Sequence, residues 1–285
     1  MARRRHPTVA ASLGLGLVLM AGPGGVSAQD APPSPVASPS ATKTTPTLPP
    51  GMPKGYLDPT QLPDSLALLP PPPPSGSEAF ARDEEVSKAM ARPPGGPRWS
   101  LAASDADLKF PHSINAFACA TGFTIDQKST PTLYKLIART MIDIGLSTYK
   151  AKNKYQRVRP FVAHGNTTCY PPDEAALRKD GSYPSGHSAL GWGWALILTE
   201  IAPQHTNAIL QRGRDFGQSR LVCNVHWASD VDAGRVIASA AVARLHADQA
   251  FQTDLQAAKA ELANASAPAP TVCTTEQAAL RESAP

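Results

Sequence analysis

Proline sets the first limit on this chain: 15 of its 30 prolines fall between Pro32 and Pro74. A residue with a locked φ and no backbone donor cannot fill helix interiors or central strands at that density, so the fold has to be built downstream of it. From Gln29 to about Leu62 the residues are mostly Pro, Ser, Thr and Ala with almost no aromatic side chains, too little buried surface to offset the entropy of ordering. The expectation is a spacer over residues 29–64. Leu66 to Pro74, LALLPPPPP, differs, because leucines running into five prolines suit a stiff extended strand lying on a domain surface. The folded domain is expected over residues 65–285, ending in a flexible C-terminal tail. A chain of 285 residues has room for one such domain of ordinary size and not for two large ones.

Residues 1–28 read as an export signal. Arg3, Arg4 and Arg5 precede an apolar run from Val9 to Ala21, and Val26-Ser27-Ala28 supplies the small residues wanted before a cut. The run is too short to anchor the chain across a bilayer, and no later stretch approaches membrane length. A periplasmic or secreted product is therefore expected, without membrane contact after cleavage. Losing three arginines and no acids takes the formal charge from +4 to +1. Nucleic acid would require a far more basic face, so any anion recognised here is small and gripped by a few placed cations.

Export also sets how Cys119, Cys169, Cys223 and Cys273 are read, since bridges persist in an oxidising compartment. None forms a C-x-x-C pair, which disfavours zinc. Four cysteines allow three pairings; Cys169 with Cys223, leaving Cys119 with Cys273, is favoured over the others and over four buried thiols.

Downstream the apolar periodicity is helical. Pro131 opens a helix carrying Leu133, Ile137, Met141 and Ile144 on one stripe. A second runs from about Ser185 to Ile201, apolar on several faces and so central. Others are expected near Thr206–Gly217, Ala228–Ala247 and Phe251–Ala265. No set of alternating strands is evident, so the fold class is all-α, a helical bundle with a long irregular segment from Pro160 to Pro184.

Three clusters join cations or histidines to groups that can fix their geometry. In KNKYQRVRP, Lys152 and Arg159 lie two helical turns apart, which would place them on one face. In Tyr183-Pro184-Ser185-Gly186-His187, a hydroxyl, a glycine amide and an imidazole gather at a helix start, where backbone N–H groups favour an anion. Ser219-Arg220 is followed by His226 and Asp230, four apart and expected as helix-face neighbours. Each alone is ordinary: charges on a helix face usually stay in water, and Ser-Gly-His after proline is commonly a turn and a cap.

Together, Lys152-x6-Arg159-Pro160, Pro184-Ser185-Gly186-His187 and Ser219-Arg220-x5-His226-x3-Asp230 resemble the three-part signature of the bacterial class A non-specific acid phosphatases. Those enzymes sit in the type-2 phosphatidic acid phosphatase superfamily, with the vanadate-dependent haloperoxidases. The similarity runs from about Leu66 to Ala265 and includes LLPPPP, GSYPSGH, GQSR and HWASDVDAGR; the long spacer and the tail with Cys273 depart from it.

The resemblance implies an all-helical bundle of that superfamily and a phosphomonoesterase needing no cofactor and no metal. Lys152, Arg159 and Arg220 would form a cationic cradle, completed by the Ser185 hydroxyl and the Gly186 N–H. His226 would be the nucleophile, passing through a phosphohistidine, Asp230 would fix its tautomer, and His187 would be the general acid. It further implies broad small-molecule phosphomonoester substrates, inhibition by inorganic phosphate or vanadate, some phosphotransferase activity, a mildly acidic pH optimum and a homodimer as one candidate state. A vanadate-dependent haloperoxidase is the alternative reading. A phosphate-binding protein without catalysis would not need both histidines. A zinc site from His187, His226 and Asp230 is the chemical competitor, opposed by three cations that would repel a divalent metal.

Overall fold

A computed structural model describes residues 53–282. The expected export signal at residues 1–28 and spacer residues 29–52 lie outside the described residues. Within them the architecture is all-α, with no strand among the described residues. The main helices are α1 (Glu78–Met90), α2 (Pro97–Ser104), α3 (Pro131–Ser147), α4 (Tyr149–Tyr155), α5 (Gly186–Ile201), α6 (Thr206–Val222), α7 (Ala228–Leu245), α8 (Gln249–Glu261) and α9 (Pro270–Arg281).

The central helix is α5, packed against α3, α6 and α7, with Trp194, Ala195, Ile197 and Leu198 all buried. Its apolar residues face several ways because neighbours surround it. Ser185 caps its start, accepting the Ser188 N–H, and Pro203 follows its end. Two glycines let the neighbours approach. A Cβ on Gly213 of α6 would lie 2.6 Å from that of Ala195, and one on Gly234 of α7 would lie 2.5 Å from the Ser185 carbonyl oxygen. Helix α8 closes the other side of α3 and seats Phe251 and Leu255 in the core.

Two regions differ from the sequence expectation. Residues 53–64, assigned to the spacer, are fastened to the domain: Tyr56 and Leu57 donate backbone N–H groups to the Asp143 carboxylate, and Arg139 bonds the carbonyls of Lys54 and Gly55. One aromatic ring suffices to seat this stretch, since Tyr56 stacks edge-on against Phe251 and donates its hydroxyl to Asp254. The tail expected to be flexible forms α9, held by a Cys119–Cys273 disulfide and by Glu276 against Arg212 at 3.3 Å. The second disulfide joins Cys169 to Cys223. The proline run after Leu69 lies on the surface, and Tyr183, buried, donates its hydroxyl to the Pro70 carbonyl.

Candidate active site

The three motif segments meet at the ends of α4, α5, α6 and α7, but two local expectations fail. Lys152 and Arg159 do not share a helix face: α4 stops at Tyr155, Gln156 adopts φ 43°, and Arg159 precedes a single turn at Pro160–Ala163. The left-handed Gln156 breaks the helix between them, and Pro160 starts a separate turn after Arg159. His226 likewise lies outside α7, one residue before its N-cap Trp227, while Asp230 sits in the first turn. That carboxylate reaches back to accept the Trp227 N–H at 2.8 Å and faces His226 Nδ1 at 3.4 Å. The segment Pro160–Pro184 is irregular apart from short turns at Pro160–Ala163 and Pro171–Leu177.

A small cavity of about 10 Å³ is walled by Arg159, Arg220, His187 and His226, together with Thr168 and Tyr170 among others. It opens beside a cleft of about 1000 Å³ that shares His187, Ala106, Tyr170 and Asp173 with it and adds Phe110 and Tyr134. Lys152, Ser185, Gly186 and Asp230 are not on the cavity wall. Lys152 Nζ donates to the Gly181 carbonyl at 2.7 Å, with Asp180 at 3.5 Å. The Ser185 hydroxyl is taken up by Ser188, and its N–H bonds the Asp230 carbonyl, tying the start of α5 to the start of α7.

The hydrogen bonds assign the protons of His226. Arg159 Nη1 lies 3.0 Å from Nε2, and a guanidinium only donates, so Nε2 is an acceptor and the proton sits on Nδ1, toward Asp230. Burial holds the His226 pKa well below the ordinary histidine value, and Arg159, Lys152 and Arg220 push the same way. His187 Nε2 bonds the Ala106 carbonyl at 3.0 Å. Its pKa is also well below the ordinary value, through burial and then Arg220. Burial pushes Lys152 down to about 8 and Arg220 down to about 10. Arg220 Nη2 donates to the Ala102 carbonyl, whereas its buried Nε has no hydrogen-bond partner among the described residues.

Charges that the sequence reading passed over complete the surroundings. Asp180 pairs with Arg159 at 3.1 Å. Arg157, inside the first motif, joins Asp230 at 2.6 Å to Asp83 at 2.7 Å, and Asp83 also accepts the Ser229 N–H and hydroxyl. Arg157 had a signal in the basic cluster KNKYQRVRP; Asp83, on the heavily charged helix α1, had none. His112, His164, His205 and His246 line neither the cavity nor the cleft. Among the described residues no three His, Cys, Asp or Glu side chains cluster as a metal site.

The sequence matches the PAP2 superfamily over residues 132–253. It is 48% identical over 209 residues to a non-specific acid phosphatase of Providencia stuartii, covering 73% of this chain and 84% of that one. An acid phosphatase of Zymomonas mobilis is 43% identical over 76% of this chain and 83% of its own, and a non-specific acid phosphatase of Salmonella typhimurium 40% over 73% and 83%. The chain belongs to the PAP2 superfamily. Within it the chain stands with the acid phosphatases, and it is a phosphatase. A bacterial vanadium-dependent iodoperoxidase superposes with a TM-score of 0.45 at 18% identity, covering 70% of this chain and 60% of that structure, too distant to carry an argument.

Proposed function

We propose that this phosphatase is an exported, metal-independent acid phosphomonoesterase that works through a phosphohistidine on His226. The observation that carries the reading is the unpartnered, buried Nε–H of Arg220 beside a cavity it shares with Arg159 and two imidazoles. A buried donor without an acceptor is costly, and an anionic oxygen in the cavity would satisfy it.

A phosphoryl group would enter from the cleft and compete with Asp180 and nearby carbonyls for Arg159 and Lys152. Its developing charge would then rest on Arg159, Lys152 and Arg220. The Nε2 lone pair of His226 attacks phosphorus as the ester P–O bond breaks, and Asp230 stabilises the cation that forms on the ring. The leaving oxygen takes a proton from protonated His187, whose ring borders both cavity and cleft; its Nε2–H is given to the Ala106 carbonyl, so the proton transferred is the one on Nδ1. Water, deprotonated by the now neutral His187, then attacks phosphorus from the same side, releasing phosphate and freeing His226.

With its pKa depressed in the free protein, His187 becomes a proton donor at low pH and when a bound anion offsets Arg220. That accounts for an acidic optimum. Export rests on residues 1–28 and the two disulfides, and no helix among the described residues is long and apolar enough to cross a membrane.

Brief incubation with a labelled phosphomonoester and a quench that spares acid-labile bonds should place label on His226. In His226→Ala no label and no turnover are expected, while vanadate still binds, more weakly. Label on another residue, or turnover lost to chelator and restored by zinc, overturns the mechanism.

A further inference from the structure

The general acid and one cradle arginine are both held by a segment that carries no part of the motif. Helix α2 ends at Ser104, and a helix leaves its last carbonyls without partners of its own. Local N–H groups take those of Leu101, Ala103 and Ser104. The Ala102 carbonyl instead receives Arg220 Nη2 at 2.6 Å, and the Ala106 carbonyl, just past the helix, receives His187 Nε2 at 3.0 Å. Two backbone oxygens four residues apart thus orient two groups that come from α5 and α6.

Asp105 lies between them and is 2% exposed. One of its oxygens accepts Arg212 Nη1 at 3.1 Å and the Ser219 hydroxyl at 2.6 Å; the other accepts Arg212 Nη2. Arg98, from α2 itself, donates to the same Ser219 hydroxyl. Ser219 precedes Arg220, so the Asp105 carboxylate locks the end of α2 to the turn of α6 that bears the cradle arginine. Glu276 of α9 backs Arg212 from the outer side.

We propose that Asp105 is a positioning residue for the phosphatase reaction, holding residues 102–106 so that the Ala102 and Ala106 carbonyls aim Arg220 and His187. This rests on the roles given above to those two residues. Asp105 touches no substrate; it acts through the strap. With a neutral amide there, the ion pair to Arg212 is lost and one acceptor oxygen is left for Arg212 and Ser219, so the Ala106 carbonyl is free to drift and the His187 ring loses its fixed orientation.

The test uses leaving groups. A p-nitrophenyl ester departs without a proton, whereas a simple alkyl ester needs one, so an ill-aimed general acid harms only the second. In Asp105→Asn, displacement of Arg220 is expected to lower kcat/KM for both esters alike, and misplacement of His187 to add a further fall of about tenfold or more for the alkyl ester alone. Asp105→Glu should recover part of the loss. Equal losses on both esters, or none, overturn the proposal. If Asp105→Asn does not fold, Glu276→Gln perturbs the same cluster from its more exposed side and should show the same bias in weaker form; no bias there counts against the strap equally. His187→Ala in parallel separates the two levels of the argument. If it lacks the leaving-group bias, the role of His187 fails, whereas a bias in His187→Ala without one in the Asp105 and Glu276 variants sinks the strap alone.

Discussion

Replacing Arg157 with Met tests whether the buried network behind His226 holds the site together. The guanidinium donates to Asp230, Ser229 and Asp83 at 2.6 to 2.7 Å, and the side chains of Asp230 and Asp83 are 0% and 3% exposed. Methionine fills similar volume but leaves two carboxylates buried without their cation, which costs about 3–5 kcal/mol. At roughly 2–4 °C per kcal/mol for a domain of this size, the melting temperature should fall by about 6–20 °C. Burial already raises the Asp230 pKa, and Arg157 is the largest influence opposing that rise. Without Arg157 it rises further. A carboxyl with a folded-state pKa above its unfolded value binds more protons when folded, so stability falls as pH climbs from about 4 through the raised value. The gap between variant and parent should therefore be wider at pH 7.5 than at pH 5. Thermal unfolding followed by circular dichroism at both pH values measures it. A drop below about 3 °C, or one equal at the two pH values, would refute the reasoning.

Gly234→Ala should cost about 1–3 kcal/mol and lower kcat, because its Cβ would meet the Ser185 carbonyl at 2.5 Å where α5 and α7 are tied together. Gly145→Ala, with nothing within 4 Å, serves as the neutral or stabilising comparison in the same melts and assays. With Lys152 pushed down to about 8, the cradle loses a cation as pH rises through that value, so log kcat/KM should bend downward there. Lys152→Arg, which keeps its charge, should remove the bend, and a parent profile without one between pH 7 and 9 would contradict the assignment.

Much of the helical frame was legible before any coordinates. Helix α3 is announced by Pro131 and a one-sided apolar stripe, α5 by apolar residues on several faces bounded by Ser185 and Pro203, and both form as read. Helices α1 and α2 give little signal in the sequence because they are short or heavily charged, with few buried residues to mark an inward face. Helix α9 is fastened by a disulfide to Cys119 and an ion pair to Arg212, partners far away in the chain. Residues 53–57 read as spacer for the same reason, since Asp143, Arg139 and Asp254 secure them from remote positions.

The motif spacing marks three chain segments that the fold brings together, and it misjudges the local geometry in which they meet. Caps, helix breakers and periodic apolar faces act over a few residues, so they can be read from the order of amino acids alone. Which charges end up buried side by side cannot. Arg159 meets His226 from 67 positions away, and Asp83 reaches Arg157 from 74. Asp83 and Asp105 look like any solvated carboxylate until packing removes the water and leaves a particular arginine as partner. Desolvation belongs to the assembled interior, and it turns those side chains from surface charges into parts of the site.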